Sequence, residues 1–244
     1  LRLLLLIILA GTGARTAALA INRILDRKID ALNPRTKDRE LPSGKLSLAK
    51  AYAVTIVGLV LYFAAAYKIC DLVLYLSPIP LVVFIIYPLM KRFTWLCHFG
   101  VGLGLALAPL GGWVAVTCSF HSIYPGVLLA LFTLFWVSGF DIIYATMDEA
   151  FDREQGIYSI VARFGRGTAL YISSLLHQAA FFSIAFLYFL MFKTIVAGIM
   201  VAIIGILLFL EQRKSANVDL AFFKINILVG FSVFLFVLAG IYLP

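Results

Sequence analysis

Apolar residues run through this chain in blocks, and the polar residues fall between them. Eight blocks, at about 3–25, 48–67, 71–90, 95–117, 124–147, 167–189, 193–210 and 224–243, each approach the ~20 residues that a helix needs to span a bilayer core. The pattern predicts an all-α, polytopic membrane helix bundle with eight transmembrane helices, forming one domain over 1–244. Leu1 to Leu9, behind Arg2, has the outline of a secretory leader, but the apolar pattern continues through Arg15 to Leu25, which makes it a span. The chain opens on Leu1 without an initiating Met, and further sequence is expected before it. The one long polar connection is 31–47, where Pro34, Pro42 and Gly44 forbid a continuous helix and Arg35, Lys37, Arg39 and Lys45 supply cations; it is a candidate lid.

Two blocks end in acidic stripes. Asn22, Asp26 and Asp30 stand at i, i+4 and i+8, which on a helix spreads them over roughly 80° and about 12 Å, with Arg15 inside the same arc. A lone acidic pair at a membrane surface can simply balance nearby Arg23, Arg27 and Lys28. Arg15 argues otherwise, because a guanidinium within an apolar helix costs several kcal/mol unless it faces a polar cavity. The second stripe leaves the fifth block: continued as a helix, it sets Asp141, Asp148 and Asp152 within about 40° of one another, Asp141 being about 10 Å deeper along the axis. The two blocks run in the same direction, a hint of parallel duplication.

Composition agrees with the pattern: 63% hydrophobic and 13% charged residues exclude an ordinary soluble domain. The net charge of +8 does not indicate nucleic acid, since the basic residues lie between apolar runs rather than on a water-exposed stripe. They do orient the chain, because 16 of the 20 Lys and Arg belong to alternate connections and the helix ends beside them. By the positive-inside rule both acidic stripes meet the cytoplasmic face, where they can converge on one cavity. A bacterial inner membrane, with the site opening to the cytoplasm, is the expected location. Cys70, Cys97 and Cys118 read as buried small hydrophobes, and His98, His121 and His177 have no metal-ligand spacing.

Carboxylate pairs at helical spacing, with Arg and Lys close by, suit Mg²⁺ carried by an anionic substrate, since Mg²⁺ takes few carboxylates and completes its shell with phosphate oxygens. The cations would clamp the remaining phosphate charge. A diphosphate with a lipid portion fits both the charges and the membrane.

The runs Asn22-x3-Asp26-x3-Asp30, Asn33-Pro34-Arg35-Thr36 and Leu41-Pro42-Ser43-Gly44 resemble the first signature of the UbiA superfamily of intramembrane aromatic prenyltransferases. Asp141-x2-Tyr144-Ala145-x2-Asp148-x3-Asp152, then Gly156-Ile157-x-Ser159 and Phe164-Gly165, resembles the second, while Tyr87-Pro88-x2-Lys91-Arg92 and Phe223-Lys224-x-Asn226 extend the likeness over nearly the whole chain. The resemblance implies nine transmembrane helices, one of them before Leu1, around a cavity where a polyprenyl diphosphate is joined to a small aromatic acid with Mg²⁺. It implies that Asn22, Asp26 and Asp30 hold one metal and Asp148 and Asp152 the other. Arg15, Arg35, Arg39 and Lys91 would face the diphosphate, and Asp141 would serve as base or orienter for the acceptor hydroxyl. Structural readings stand beside these: Arg35 and Arg39 could hold the loop to lipid headgroups, Lys91 could be a positive-inside residue, and Tyr87, Tyr144 and Ser159 could be packing or capping residues.

Within the superfamily the nearest likeness is to 4-hydroxybenzoate polyprenyltransferases of quinone synthesis, including ubiquinone. Glu40 and Tyr158 depart from that group, and together with Phe151-Asp152 and Ala162-Arg163-Phe164-Gly165 they also resemble the bacterial branch that prenylates a dihydroxynaphthoate in menaquinone synthesis. Two rivals lie outside the superfamily. A polytopic transporter would place its charges near the bilayer midplane, whereas most of these acids sit at one surface. A CDP-alcohol phosphotransferase would carry Asp-Gly-x2-Ala-Arg before its acids, and neither stripe does.

Overall fold

The computed structural model describes residues 1–243, and all their regular structure is helical. In order these are α1 (Arg2–Leu32), α2 (Leu48–Ile69), α3 (Asp71–Leu76), α4 (Pro78–Met90), α5 (Cys97–Thr117), α6 (Tyr124–Ala145), α7 (Glu149–Glu154), α8 (Ile160–Leu187), α9 (Ile195–Arg213) and α10 (Asn226–Tyr242). Single π-helical segments, Tyr188–Phe192 and Asp219–Ile225, extend α8 and precede α10. Among the described residues eight stretches are long and apolar enough to cross a membrane, as the sequence pattern predicts. The chain packs as two compact units, Leu1–Met90 with Leu110–Ile123, and Lys91–Pro109 with the chain from Tyr124 onward.

In the first unit α1 and α2 meet through small residues. A Cβ on Gly13 would lie 2.6 Å from the Gly58 carbonyl oxygen, and one on Gly58 would lie 2.9 Å from the Ala17 nitrogen. Such contact of backbones is what holds helices together in lipid, where apolar side chains gain nothing by leaving one hydrocarbon for another. Buried Gly13, Ala17 and Ile24 share one side of α1. Arg15, Asn22, Asp26 and Asp30 lie about 180–260° around the axis from Gly13, so the packing that fixes α1 leaves its polar stripe on the other side. The helix stops where Pro34 forbids an α conformation at the preceding residue, and Asn33 is extended (φ −81°, ψ 121°).

The second unit packs α6 against α8, with α9 and α10 completing a core that includes Phe132, Ile184, Leu187, Ile204, Val229 and Phe236. A buried polar group crosses it. Gln212 donates from Nε2 to Ser173 Oγ (2.7 Å) and lies 2.9 Å from His177 Nδ1, Ser173 donates to the Gly139 carbonyl (2.7 Å), and Trp136 donates to Asn226 Oδ1 (2.9 Å). These bonds hold α6, which carries Asp141, to its neighbours.

The second acidic stripe is not one helix. α6 ends at Ala145, and the amides of Thr146, Met147 and Asp148 bond to carbonyls three residues back (3.2, 3.2 and 3.0 Å). The Thr146 hydroxyl also donates to the Ile143 carbonyl at 2.7 Å. This tightening unwinds the α ladder, and the chain restarts as α7 with Asp148 at its N-cap. The expected arc and the 10 Å helical depth of Asp141 therefore do not apply. α8 also begins earlier than the apolar pattern shows, at Ile160, with a break at Gly165 (φ 78°, ψ 162°). The cysteines are not buried: Cys118 is exposed, Cys70 and Cys97 intermediate.

Candidate active site

The first unit presents its stripe as the sequence spacing predicts. Asp26 and Asp30 are 4% and 5% exposed, Asn22 is half-buried, and Arg15 is exposed on the same helix. The 33–47 connection folds back on this end of α1. Asn33 Oδ1 accepts the Arg35 amide (2.9 Å), the Thr36 hydroxyl donates to the Asp30 carbonyl (3.0 Å), and Arg39 Nη1 donates to both Asp30 oxygens (2.8 and 2.9 Å). Arg23 Nη1 stands 3.8 Å from the same carboxylate. Asp30 is thus engaged by guanidinium groups, while the Arg35 side chain is exposed.

In the second unit Asp148 and Asp152 bracket the first turn of α7, with the Asp152 amide bonded to the Asp148 carbonyl (2.8 Å). Asp152 is 8% exposed, and its Oδ2 accepts the Ser159 hydroxyl (3.1 Å). Burial pushes its carboxyl up to about 6; the Ser159 bond opposes this, the Asp148 charge adds to it, and Lys91 pulls it back. Lys91 accepts the Tyr158 amide at its carbonyl (2.8 Å), which fixes it beside the same loop.

Asp141 stands apart, on α6, and its partner is one that sequence spacing does not reveal. His98 Nδ1 lies 2.6 Å from Asp141 Oδ2, the His98 side chain being 3% and the Asp141 side chain 25% exposed. Nothing in the sequence marks a pair 43 residues apart on two apolar helices. Ser159, open between packing and function in the sequence, does two things: its Oγ caps α8 by accepting the Ala162 amide (3.0 Å) and donates to Asp152.

These groups are hard oxygen donors, and no three His, Cys, Asp or Glu converge to hold a metal ion among the described residues. That set fits Mg²⁺ brought in by phosphate and does not fit a self-sufficient protein cage. The buried Asp26 and Asp152 fit it further, because a desolvated carboxylate gains from a cation.

Comparison with known proteins gives the same direction. A 4-hydroxybenzoate polyprenyltransferase, mitochondrial, of Schizosaccharomyces pombe is 34% identical over 166 residues, 66% of this chain and 46% of that protein. A 4-hydroxybenzoate octaprenyltransferase of Vibrio atlanticus is 34% identical over 174 residues, covering 70% and 60%. The chain thus spans about half of the length of the curated relatives it matches. A solved UbiA homolog from Aeropyrum pernix K1, in its apo form, superposes with a TM-score of 0.89 at 32% identity, over 99% of this chain and 90% of that one. A UbiA homolog from Archaeoglobus fulgidus bound to DMAPP and Mg²⁺ shares the fold at 18% identity, with a TM-score of 0.76 over 99% and 87%. The UbiA prenyltransferase family model matches residues 1–228, and the chain belongs to the UbiA prenyltransferase family.

Proposed function

We propose that this protein transfers a polyprenyl group from a polyprenyl diphosphate to 4-hydroxybenzoate, in a membrane, for quinone synthesis. The observation that carries the reading is the pair of acidic sites, Asp26 with Asp30, both buried, and half-buried Asp148 with buried Asp152, in a chain whose curated relatives bear that activity in their names. Asn22, Asp26 and Asp30 would hold one Mg²⁺ and Asp148 and Asp152 the other. Bound there, Mg²⁺ neutralises the diphosphate and so makes it a better leaving group.

The protein's own residues supply the rest. Arg15, Arg35, Arg39 and Lys91 bind the diphosphate oxygens. The Arg39–Asp30 pair is the resting arrangement, in which carboxylate and guanidinium compensate each other; with substrate bound, Asp30 would serve the metal and Arg39 a phosphate oxygen. As the allylic carbon–oxygen bond breaks, the electron-rich ring attacks ortho to its hydroxyl, and Asp141 orients that hydroxyl or accepts its proton. The 33–47 connection, tied to α1 through Asp30, keeps water from quenching the allylic cation. The location that follows is a multi-pass membrane protein of the bacterial inner membrane with its acids toward the cytoplasm.

The test uses membranes carrying the full-length protein, a polyprenyl diphosphate and Mg²⁺, with 4-hydroxybenzoate and a dihydroxynaphthoate offered separately. Transfer to the first and loss of all transfer in excess chelator are expected. Preference for the naphthoate would move the reading to menaquinone synthesis, and turnover in excess chelator would remove the metal from it.

A further inference from the structure

We propose that His98 is a positioning residue that holds the Asp141 carboxylate, and that the first turn of α8 decides which way its ring is protonated. This rests on Asp141 being the group that handles the acceptor hydroxyl. His98 is the second residue of α5 and is 3% exposed. Its ring spans two other elements: Nδ1 faces Asp141 Oδ2 at 2.6 Å, and the Ile160 amide approaches Nε2 at 3.4 Å.

The backbone N–H can only donate, so Nε2 must accept. Ile160 opens α8, and its amide is one of those a helix N-terminus leaves without an intrahelical acceptor. A proton on Nε2 would set two donors against each other and leave that amide unsatisfied. The ring therefore carries its proton on Nδ1 and donates it to Asp141. One oxygen of Asp141 is thereby held, and Oδ1 is left to meet a substrate hydroxyl.

The surroundings support this division of labour. Ile142, next to Asp141, and Ile160, whose amide meets His98, are fully buried in one cluster with Val161 and Ala169, and His98 is itself 3% exposed, so the imidazole sits where a hydrogen bond orients its partners more firmly than in water. The preceding residue, Ser159, holds Asp152 at 3.1 Å. Two successive residues of one turn thus fix an acid of the metal run and, through His98, the acid of the acceptor side.

The experiment is a double-mutant cycle in the full-length protein, assayed with a polyprenyl diphosphate, Mg²⁺ and 4-hydroxybenzoate, with prenyl diphosphate binding measured in parallel. His98→Leu is expected to lower kcat by about 10- to 100-fold, the scale of a lost orienting partner, with diphosphate affinity within about twofold of the parent. His98→Asn, which can place an N–H near the position of Nδ1, should recover at least about half of the parent rate. The His98→Leu/Asp141→Asn double variant should be no slower than Asp141→Asn alone, because His98 acts through that carboxylate. Multiplying losses in the double variant, or loss of diphosphate binding in His98→Leu, would overturn the inference while leaving the role of Asp141 standing. A parent-like rate for Asp141→Asn would remove that role and this inference together. If His98→Leu does not fold, the cycle is run with His98→Asn, and a single-variant rate below about a tenth of the parent overturns the proposal.

Discussion

Asp141, within α6, and Asp152, within α7, belong to one acidic run of the sequence, yet the structure gives them different neighbours. Asp141 has an imidazole as its hydrogen-bond donor, whereas Asp152 has one hydroxyl and a second carboxylate nearby. Asp26→Ala or Asp148→Ala should weaken polyprenyl diphosphate binding as well as turnover. Asp141→Asn should spare binding and lower transfer by roughly 10² or more, the scale of a lost general base; equal loss of binding in all three would put Asp141 in the metal layer. A separate expectation concerns pH. Because the carboxyl of Asp152 is raised to about 6, the folded chain holds its proton more tightly than the unfolded chain does. Without metal, stability from this group declines as pH rises from the ordinary Asp range through about 6. Asp152→Asn, which can still accept from Ser159, should therefore melt higher than the parent at pH 7.5 and level with it near pH 4. Thermal unfolding in detergent without Mg²⁺ checks this, and added Mg²⁺ should close the gap.

At the scale of elements, the acids are placed by contacts made on the far sides of their helices. Gly58→Leu should force α1 and α2 apart, since a Cβ there would already stand 2.9 Å from the Ala17 nitrogen, and overpacking of this kind costs about 1–3 kcal/mol. A fall in melting temperature together with weaker diphosphate binding is the expected pair of results. Gly165 interrupts α8 at φ 78° and ψ 162°, a conformation essentially reserved for glycine. Gly165→Ala is expected to cost about 1–3 kcal/mol locally. Relief of that strain would shift the Ile160–Phe164 turn, so transfer should fall more than stability does. Parent-like activity at full stability would show that the turn is not held by the break.

At the scale of the whole molecule, charge decides orientation. The division of 16 against 2 among loop and helix-end cations predicts that 31–47 and 148–166 lie on one side of the membrane and 118–124 on the other. The exposed thiol of Cys118 is a native reporter of the second side. In intact cells an impermeant maleimide should label Cys118 in a Cys70→Ala/Cys97→Ala background, while Ser43→Cys in a background with all three native cysteines replaced by Ala should stay unlabelled until the membrane is opened. The reverse pattern would invert the topology.

Much of this was legible in the sequence because it depends on neighbours along the chain. Eight apolar blocks set the membrane spans through length alone, Pro34 stops α1, and the i, i+4, i+8 spacing of Asn22, Asp26 and Asp30 needs only a continuous helix, which α1 provides. The family signatures lie on the same local runs. Where the chain makes non-local or competing bonds, the pattern misleads or is silent. Thr146 bonds back to Ile143 and unwinds the segment between Asp141 and Asp148, so a period read as one helix is two. Arg39 folds back from the irregular connection onto Asp30, nine positions earlier, and His98 meets Asp141 from another helix. Hydropathy carries neither contact, because an apolar helix reveals its depth in lipid but not its rotation toward a neighbour. That rotation comes from packing at glycines, Gly13 and Gly58 between α1 and α2 and Gly102 between α5 and α6, where a Cβ would meet Leu134 and Ser138; the second of these contacts lies on the two helices that carry His98 and Asp141.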